Sequence, residues 1–432
     1  MSDIIASVRG RRVWDSRGRP TVEVDVMLAG GALGRAIAPA GASRGRFEAV
    51  DLRDGCARLR GLDVRTALAN VNGTIASALI GRSVGDQGEL DRLLIALDGT
   101  PNKSRLGGNA MIATSMAIAK ARAATQGLPL WKSLAEGRRV RPPLPEIQIF
   151  GGGAHAAGRL DVQDFMVIAV GAETFSRALE MTADVYAAAG ALMSERGLLA
   201  GVADEGGYWP MFETNEAALD MLLRAIERAG YRPFDEVAIS LDIAASEFHR
   251  DGGYLLARES RILSCAEMIE MLLGWVRRYP IISIEDPLAE DDEPGLIEFT
   301  RRAGASLQIV GDDYLVTNAG RVIKAQSAGA CNAALIKPNQ AGTLTETQAA
   351  LSVAIAGGWG AIVSARSGET EDTTIAHLAV GWGAGQLKVG SFARSERMAK
   401  WNEVLRIVEE IGPGGDALPP RGSFPWGLAK SA

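Results

Sequence analysis

Between residues 280 and 340, three short apolar runs each end against a charged side chain: 281–284 at Glu285, 307–310 just before Asp312, and 333–336 at Lys337. A half-exposed strand alternates apolar and polar residues, whereas uninterrupted runs of this length, separated by helical sequence, read as parallel strands buried on both faces. The pattern continues outward, through 237–241 into Asp242, 361–363 into Ser364 and its neighbours, and 386–387 into Lys388. Six strand ends of this kind belong on one rim. In an α/β barrel the C-terminal rim of the strands is where catalytic groups are mounted.

At 432 residues the chain exceeds one ordinary core. Two domains are expected, one with room for a barrel of about 250 residues. Charge and proline replace periodicity at 137–145 (GRRVRPPLP). Residues that precede proline are driven to extended backbone, so the junction is placed there, with an N-terminal domain over 1–137 and a barrel over 143–432. Net charge is −6, from 46 basic and 52 acidic residues, with no long run of one sign. Nothing in that balance suggests a nucleic-acid or membrane surface. The three cysteines, Cys56, Cys265 and Cys331, are isolated and odd in number, which suits buried thiols in a reducing compartment.

Arg9, Arg11 and Arg12 interrupt the first dozen residues, so no export signal is expected there and the reading is cytoplasmic. The longest uncharged stretch, 347–365, is cut by Gly-Gly-Trp-Gly at 357–360 into a helix, a turn and a strand.

Along the chain, 21–26 (TVEVDV) alternates as a strand with one wet face does, after the turn-forming 16–20 (SRGRP). An N-terminal antiparallel sheet follows from it. Residues 38–46 (APAGASRGR) read as a mobile loop, and 64–79, 89–97 and 109–125 carry helical periodicity, giving an α+β unit. In the second domain, 151–158 (GGGAHAAG) is a second flexible segment. Helices over 174–196 and 215–228 flank 202–207 (VADEGG). Strand–helix alternation then runs to a last helix over 395–410, and the Pro- and Gly-rich tail, 413–432, is expected to cross the surface.

Asp242, Glu285 and Asp312 stand at the ends of three successive strands and would repel one another unless a cation neutralised them. Oxygen-only ligands without His or Cys partners select a hard ion such as Mg²⁺. The competing reading is three separate capping or surface acids. Lys337 and Lys388 occupy the neighbouring ends, where desolvation penalises an ammonium. Lys337 is either the ion-pair partner of Asp312 or a base whose pKa is lowered by a metal ion and a second cation. Pro338 holds its backbone extended.

Ser364, Arg366 and Ser367 offer a guanidinium and two hydroxyls, a set that suits phosphate oxygens. Glu205 is a general acid or a turn carboxylate, and His155, in a glycine loop, is a candidate substrate contact. His249 and His377 receive no role. The chain has no Gly-Lys dipeptide and hence no P-loop, and no dinucleotide fingerprint.

Taken together, the segments at 15–23 (DSRGRPTVE), 41–43 (GAS), 204–207 (DEGG), 283–287 (SIEDP), 311–313 (GDD), 337–346 (KPNQAGTLTE), 366–374 (RSGETEDTT) and 393–397 (ARSER) resemble the enolase family across nearly the whole chain. The resemblance implies an α+β capping domain on an enolase-type (β/α)8 barrel with a partly antiparallel start. It implies a structural Mg²⁺ on Asp242, Glu285 and Asp312, and a second, catalytic Mg²⁺ that Ser43 in the mobile loop helps to bind. Lys337 would take the proton α to a carboxylate, and Glu205 would protonate the leaving hydroxyl. His155, Gln163, Arg366, Ser367 and Lys388 would hold the phosphate and carboxylate of 2-phosphoglycerate. A homodimer or higher homo-oligomer is implied as well.

Two positions depart from the family pattern. Ala365 stands where the family has histidine, and Asp164 stands where it has glutamate, one methylene longer. Arg19, Arg44 and Arg46 add positive charge near the mobile loop. Base and metal set are intact while the leaving-group side is altered. Three readings follow: a glycolytic enolase with a variant pocket, an enolase-derived dehydratase for a phosphonate or carboxylated analogue like the carboxyphosphonoenolpyruvate-forming enzymes, and a non-catalytic enolase-fold protein.

Overall fold

The structure, a computed structural model, describes residues 2–428. Its larger part is a closed barrel of eight strands: Leu144–Gly151, Asp164–Ile168, Ala238–Asp242, Ile281–Glu285, Gln308–Gly311, Ala333–Ile336, Gly360–Ser364 and Gln386–Ser391. All six strands read from the sequence are among them. They are buried along their length because helices cover the outside and side chains fill the inside, which is why no alternation marks them. The start is irregular. Asp164–Ile168 runs antiparallel to both of its neighbours, so its first residue, Asp164, lies opposite the last residue of the next strand, Asp242.

The helices are framed by the signals the sequence carries. Thr174, Thr214, Ser264 and Thr343 each cap the first turn of a helix through the side-chain oxygen. Ser264 and Glu267 close a full capping box at the start of Cys265–Arg278. No described helix is long and apolar enough to cross a membrane.

The capping domain is a three-stranded antiparallel sheet, Ile5–Trp14, Pro20–Leu28 and Leu33–Ile37, packed on the helix Gly108–Thr125. The alternation at 21–26 is real, but the polar side is not wet. Glu23 and Asp25 are covered by Arg11 and Arg35 from the strands on either side, as befits a central strand. The helix expected over 64–79 forms over 65–79, with one wide turn inside it at Val71–Ile75. There Asn72 hydrogen-bonds both backbone groups of Gly10, and Val71 sits so close to Gly10 that a Cβ at that position would meet it at 2.9 Å.

Two further expectations are corrected. The tail does not simply cross the surface, for Leu418 pairs with the backbone of Glu173, and Phe424 and Trp426 stack at 4.5 Å with Trp426 buried. Aromatic side chains, invisible to a Pro/Gly count, anchor it beside Gly385 at the N-terminal end of the barrel. Its last residues, 429–432, lie outside the described residues. Of the cysteines only Cys331 is buried, while Cys56 and Cys265 are partly exposed.

The two domains meet along a seam of partly buried polar pairs. Asp91 accepts from the backbone and hydroxyl of Thr345 at 2.9 and 2.6 Å, Lys103 reaches Glu346 at 2.6 Å, and Lys120 reaches Asp372 at 2.9 Å. The capping domain is thereby fixed above the barrel rim.

Candidate active site

The rim gathers the charged strand ends in one buried cluster. Asp242 and Glu285 terminate their strands, Asp312 and Lys337 follow theirs by one residue, and Lys388 sits within the last strand. Lys337 has the extended backbone that Pro338 imposes, with φ −118° and ψ 110°. The antiparallel second strand begins where the others end. Asp164 therefore joins this rim and not the opposite one.

Lys388 Nζ lies 2.8 Å from Asp242 Oδ2, 2.8 Å from Glu285 Oε2 and 3.7 Å from Asp164 Oδ2. Gln163 donates to Asp242 at 3.0 Å. Lys337 donates to Asp312, whose other oxygen accepts from Gln340 at 2.8 Å. Burial disfavours the Lys388 ammonium, but Asp242 and Glu285 outweigh it and hold the proton firmly. Burial also disfavours charge on Lys337. Asp312 reverses that, so the pKa of Lys337 is raised, opposite to the lowering expected of a base, because contact with a carboxylate dominates over the more distant cations.

Burial and then Asp242 push the Glu285 carboxyl well above its ordinary range, and its Oε1 is buried without a hydrogen-bond partner. Glu146 Oε2 likewise has no hydrogen-bond donor, and Asp164 Oδ2 has only the Lys388 ammonium, 3.7 Å away. A buried acceptor-only oxygen without a donor calls for a cation. Of the three carboxylates expected to hold a divalent ion, Glu285 keeps an oxygen free for one, while Asp242 accepts from Lys388 and Gln163 and Asp312 from Lys337 and Gln340. A different carboxylate group, Asp286, Asp312 and Asp313, has ligand atoms that all lie within 4.8 Å of one another. Both Asp286 oxygens are already engaged by the backbone N–H groups of Asp312 and Asp313, at 2.8 and 2.9 Å, so that residue shapes the turn presenting Asp312.

Across the pocket, His155 Nδ1 donates to Asp164 at 2.8 Å while its Nε2 lies 3.5 Å from Glu205. Gln148 donates to the same Asp164 oxygen and accepts from the backbone of Gly207 at 2.8 Å, which ties Asp164 to the turn carrying Glu205. Burial works against charge on both partners of the His–Asp pair. Their mutual attraction prevails, drawing Asp164 down to about 2 and lifting His155 to about 9. A second possible metal group, His155, Asp164 and Glu205, is the same constellation. Ala365 lies in the wall beside these residues, buried and apolar.

Arg366 is fully engaged: it meets Glu48 at 3.0 Å, Asn339 at 3.0 Å and the backbone carbonyl of Ser43 at 2.9 Å. The loop 38–46 thus lies down on the rim. Arg17 donates to the Ala40 carbonyl at 2.7 Å and to Ser367 Oγ at 3.3 Å, and Arg46 bridges to Glu290 and Asp291. Glycine is required at 41, where a Cβ would stand 2.1 Å from the Arg366 guanidinium. Ser43 enters the pocket, but the contact in the structure is made by its carbonyl. The Ser364 hydroxyl is turned onto the Ala365 carbonyl at 3.0 Å.

Every residue expected at the site lies on this rim or in the loop over it. The sequence reading missed Glu48, Gln148 and Gln340, which position Arg366, Asp164 and Asp312. Gln340 sat in plain view three residues after Lys337, whereas Glu48 and Gln148 look like ordinary polar residues of a loop and a strand.

A family model described as "Enolase, N-terminal domain" matches residues 5–134. One described as "Enolase, C-terminal TIM barrel domain" matches residues 140–417. The chain belongs to the enolase family. The enolase barrel and its capping domain are the two bodies described above, and the acidic clusters on the enolase rim are compatible with metal binding.

Proposed function

We propose that the protein is a Mg²⁺-dependent dehydratase that converts 2-phosphoglycerate to phosphoenolpyruvate by abstracting the proton α to the carboxylate. The observation that carries this reading is the buried alternation of carboxylates and ammoniums at the rim, which includes an orphaned carboxylate oxygen on Glu285. Asp242, Glu285 and Asp312 would hold one ion and Ser43 would help hold a second, and bound metal supplies stabilisation for the charge that builds on the substrate carboxylate. A cation sharing the charge of Asp312 would weaken its hold on the Lys337 proton. Arg366 and Lys388 disfavour charge on Lys337, which as the free amine takes the α-proton.

Glu205 delivers a proton to the departing hydroxyl, steadied by His155 from 3.5 Å. Carbon–oxygen cleavage leaves the enol phosphate and water. Lys388, Gln163 and His155, with Arg366, Ser364 and Ser367 around them, orient the carboxylate and phosphate. The domain junction at 137–143, a cytoplasmic location and a homo-oligomeric state belong to the same proposal.

A second reading is favoured by Ala365 and Asp164, which together remove side-chain volume from the leaving-group side. It gives the same proton abstraction on a bulkier 2-phosphoglycerate analogue bearing a phosphonate or an extra carboxylate. Assaying phosphoenolpyruvate formation from 2-phosphoglycerate over a Mg²⁺ series tests the first reading. Turnover should vanish in excess chelator, and Asp242→Asn should raise the Mg²⁺ requirement by about tenfold or more, because one of three anionic ligands is lost. Undiminished activity in chelator would refute metal dependence. No turnover of 2-phosphoglycerate at any Mg²⁺ concentration would refute the first reading.

A further inference from the structure

The loop 38–46 is held on the rim from two sides. On the inner side Arg366 donates to the carbonyl of Ser43 at 2.9 Å. On the outer side the contacts come from Arg46 and the residue after it. The Arg46 backbone N–H donates to Glu290 Oε2 at 3.1 Å, its Nε donates to the other oxygen of that carboxylate, and its Nη2 meets Asp291 at 2.8 Å. Glu290 is no loose surface acid, for its side chain is 7% exposed and its backbone N–H is held by Ser246 at 2.8 Å. Phe47 lays its ring against the Arg321 guanidinium, 4.4 Å from the ring centroid, and Arg321 is fixed in turn by the Tyr314 carbonyl at 2.7 Å. One residue before Arg46, the backbone runs so close to the rim that a Cβ on Gly45 would meet Val316 at 2.7 Å.

An isolated exposed ion pair adds little stability. Here one arginine engages two neighbouring acids through backbone and side chain together, one of those acids is largely covered, and a cation–π contact follows in the next residue. The docking partners matter as well. Glu290 and Asp291 lie in the segment that continues from Glu285, and Tyr314 to Arg321 in the one that continues from Asp312, so the loop bearing Ser43 is fastened beside two of the rim carboxylates. We infer that Arg46 is a positioning residue: with Phe47 it clasps the loop to the outer edge of the rim, so that contacts within the protein, and not a ligand, present Ser43 to the pocket. Arg46 itself touches no reacting group. Its consequence for turnover rests on the function proposed above, in which Ser43 helps to hold a metal ion.

Limited trypsin digestion of the unliganded full chain tests the clasp. The reporter is the bond between the exposed Arg44 and the buried Gly45, identified by peptide mass. Cleavage of a native loop follows the population of its open form. The bond should be cut slowly in the wild-type protein and about tenfold faster in Arg46→Gln, as expected when a charge-assisted contact to a covered carboxylate is lost. Asp291→Asn should accelerate the cut by a smaller factor and add little on top of Arg46→Gln, since both break one network. Arg46→Lys, which keeps the charge without the planar fork, should restore part of the protection. Circular dichroism reports that each variant is folded. In turnover, the Mg²⁺ concentration for half-maximal rate should rise in Arg46→Gln and fall back in Arg46→Lys. Cleavage after Arg44 as fast in the wild type as in Arg46→Gln would overturn the clasp, whatever the substrate proves to be. Faster cleavage with an unchanged Mg²⁺ requirement would overturn the link to Ser43. Absent turnover in wild type and variant alike would refute the proposed function, and the digestion alone then decides the clasp.

Discussion

The two sides of the pocket are built differently. On the base side, Lys337, Asp312, Glu285, Asp242 and Lys388 come from strand ends that are neighbours in the barrel, and each charge is answered by an opposite one within hydrogen-bond reach. On the leaving-group side, Glu205 comes from a turn, His155 from a glycine loop and Asp164 from the one antiparallel strand, while Ala365 contributes no polar atom. The first is fixed by the barrel itself. The second depends on loops and on Gln148, which joins Asp164 to the Glu205 turn, so under the proposed function substitutions there would alter the substrate without disturbing proton abstraction.

The largest effect should follow from breaking the base side. Lys337→Ala should lower exchange of the substrate α-proton by about a thousandfold, within the range a general base contributes, while circular dichroism shows the fold retained. Wild-type exchange in the variant would remove Lys337 from its role and erase the distinction between the two sides. Restoring the leaving-group side should act in the other direction. Ala365→His with Asp164→Glu should raise kcat on 2-phosphoglycerate by about a hundredfold if that side limits a slow enolase. If the pocket serves a bulkier analogue, the same change should gain little on 2-phosphoglycerate and damage turnover of the analogue.

A smaller effect concerns pH. The folded pKa of His155 is raised from 6.5 to about 9, so the imidazolium is fully present below the ordinary histidine value and is lost as pH climbs through about 9. Its hold on Asp164 and Glu205 goes with it. Turnover should therefore fall by roughly severalfold across that limb, and His155→Gln should flatten it. A wild-type profile with no decline through pH 9 would show that the imidazolium contributes nothing to catalysis.

How much of this was legible follows from the same contrast. Buried parallel strands announce themselves as uninterrupted apolar runs, and the charged residue that stops each run marks the rim, so Asp242, Glu285, Asp312, Lys337 and Lys388 could be read off directly. Asp164 could not be placed that way, since its position depends on a strand running backwards. Nor could Glu48, whose contact with Arg366 spans the domain seam at a sequence separation of 318 residues. The wide turn at Val71–Ile75 carries Asn72, which reaches back to Gly10, a long-range contact that helical periodicity does not register. The tail was misread because its composition suggested a loop while Phe424 and Trp426 did the anchoring.

The contrast between an intact base side and an altered leaving-group side is tested most directly by following 2-phosphoglycerate in deuterium oxide with Mg²⁺. Deuterium incorporation at the α-carbon of recovered substrate is compared with the rate of phosphoenolpyruvate formation. Exchange should outrun dehydration, because Lys337 can remove the proton repeatedly before the hydroxyl leaves. Ordinary turnover with no deuterium in the recovered substrate would contradict this, for it would mean that departure of the hydroxyl keeps pace with proton abstraction despite Ala365 and Asp164.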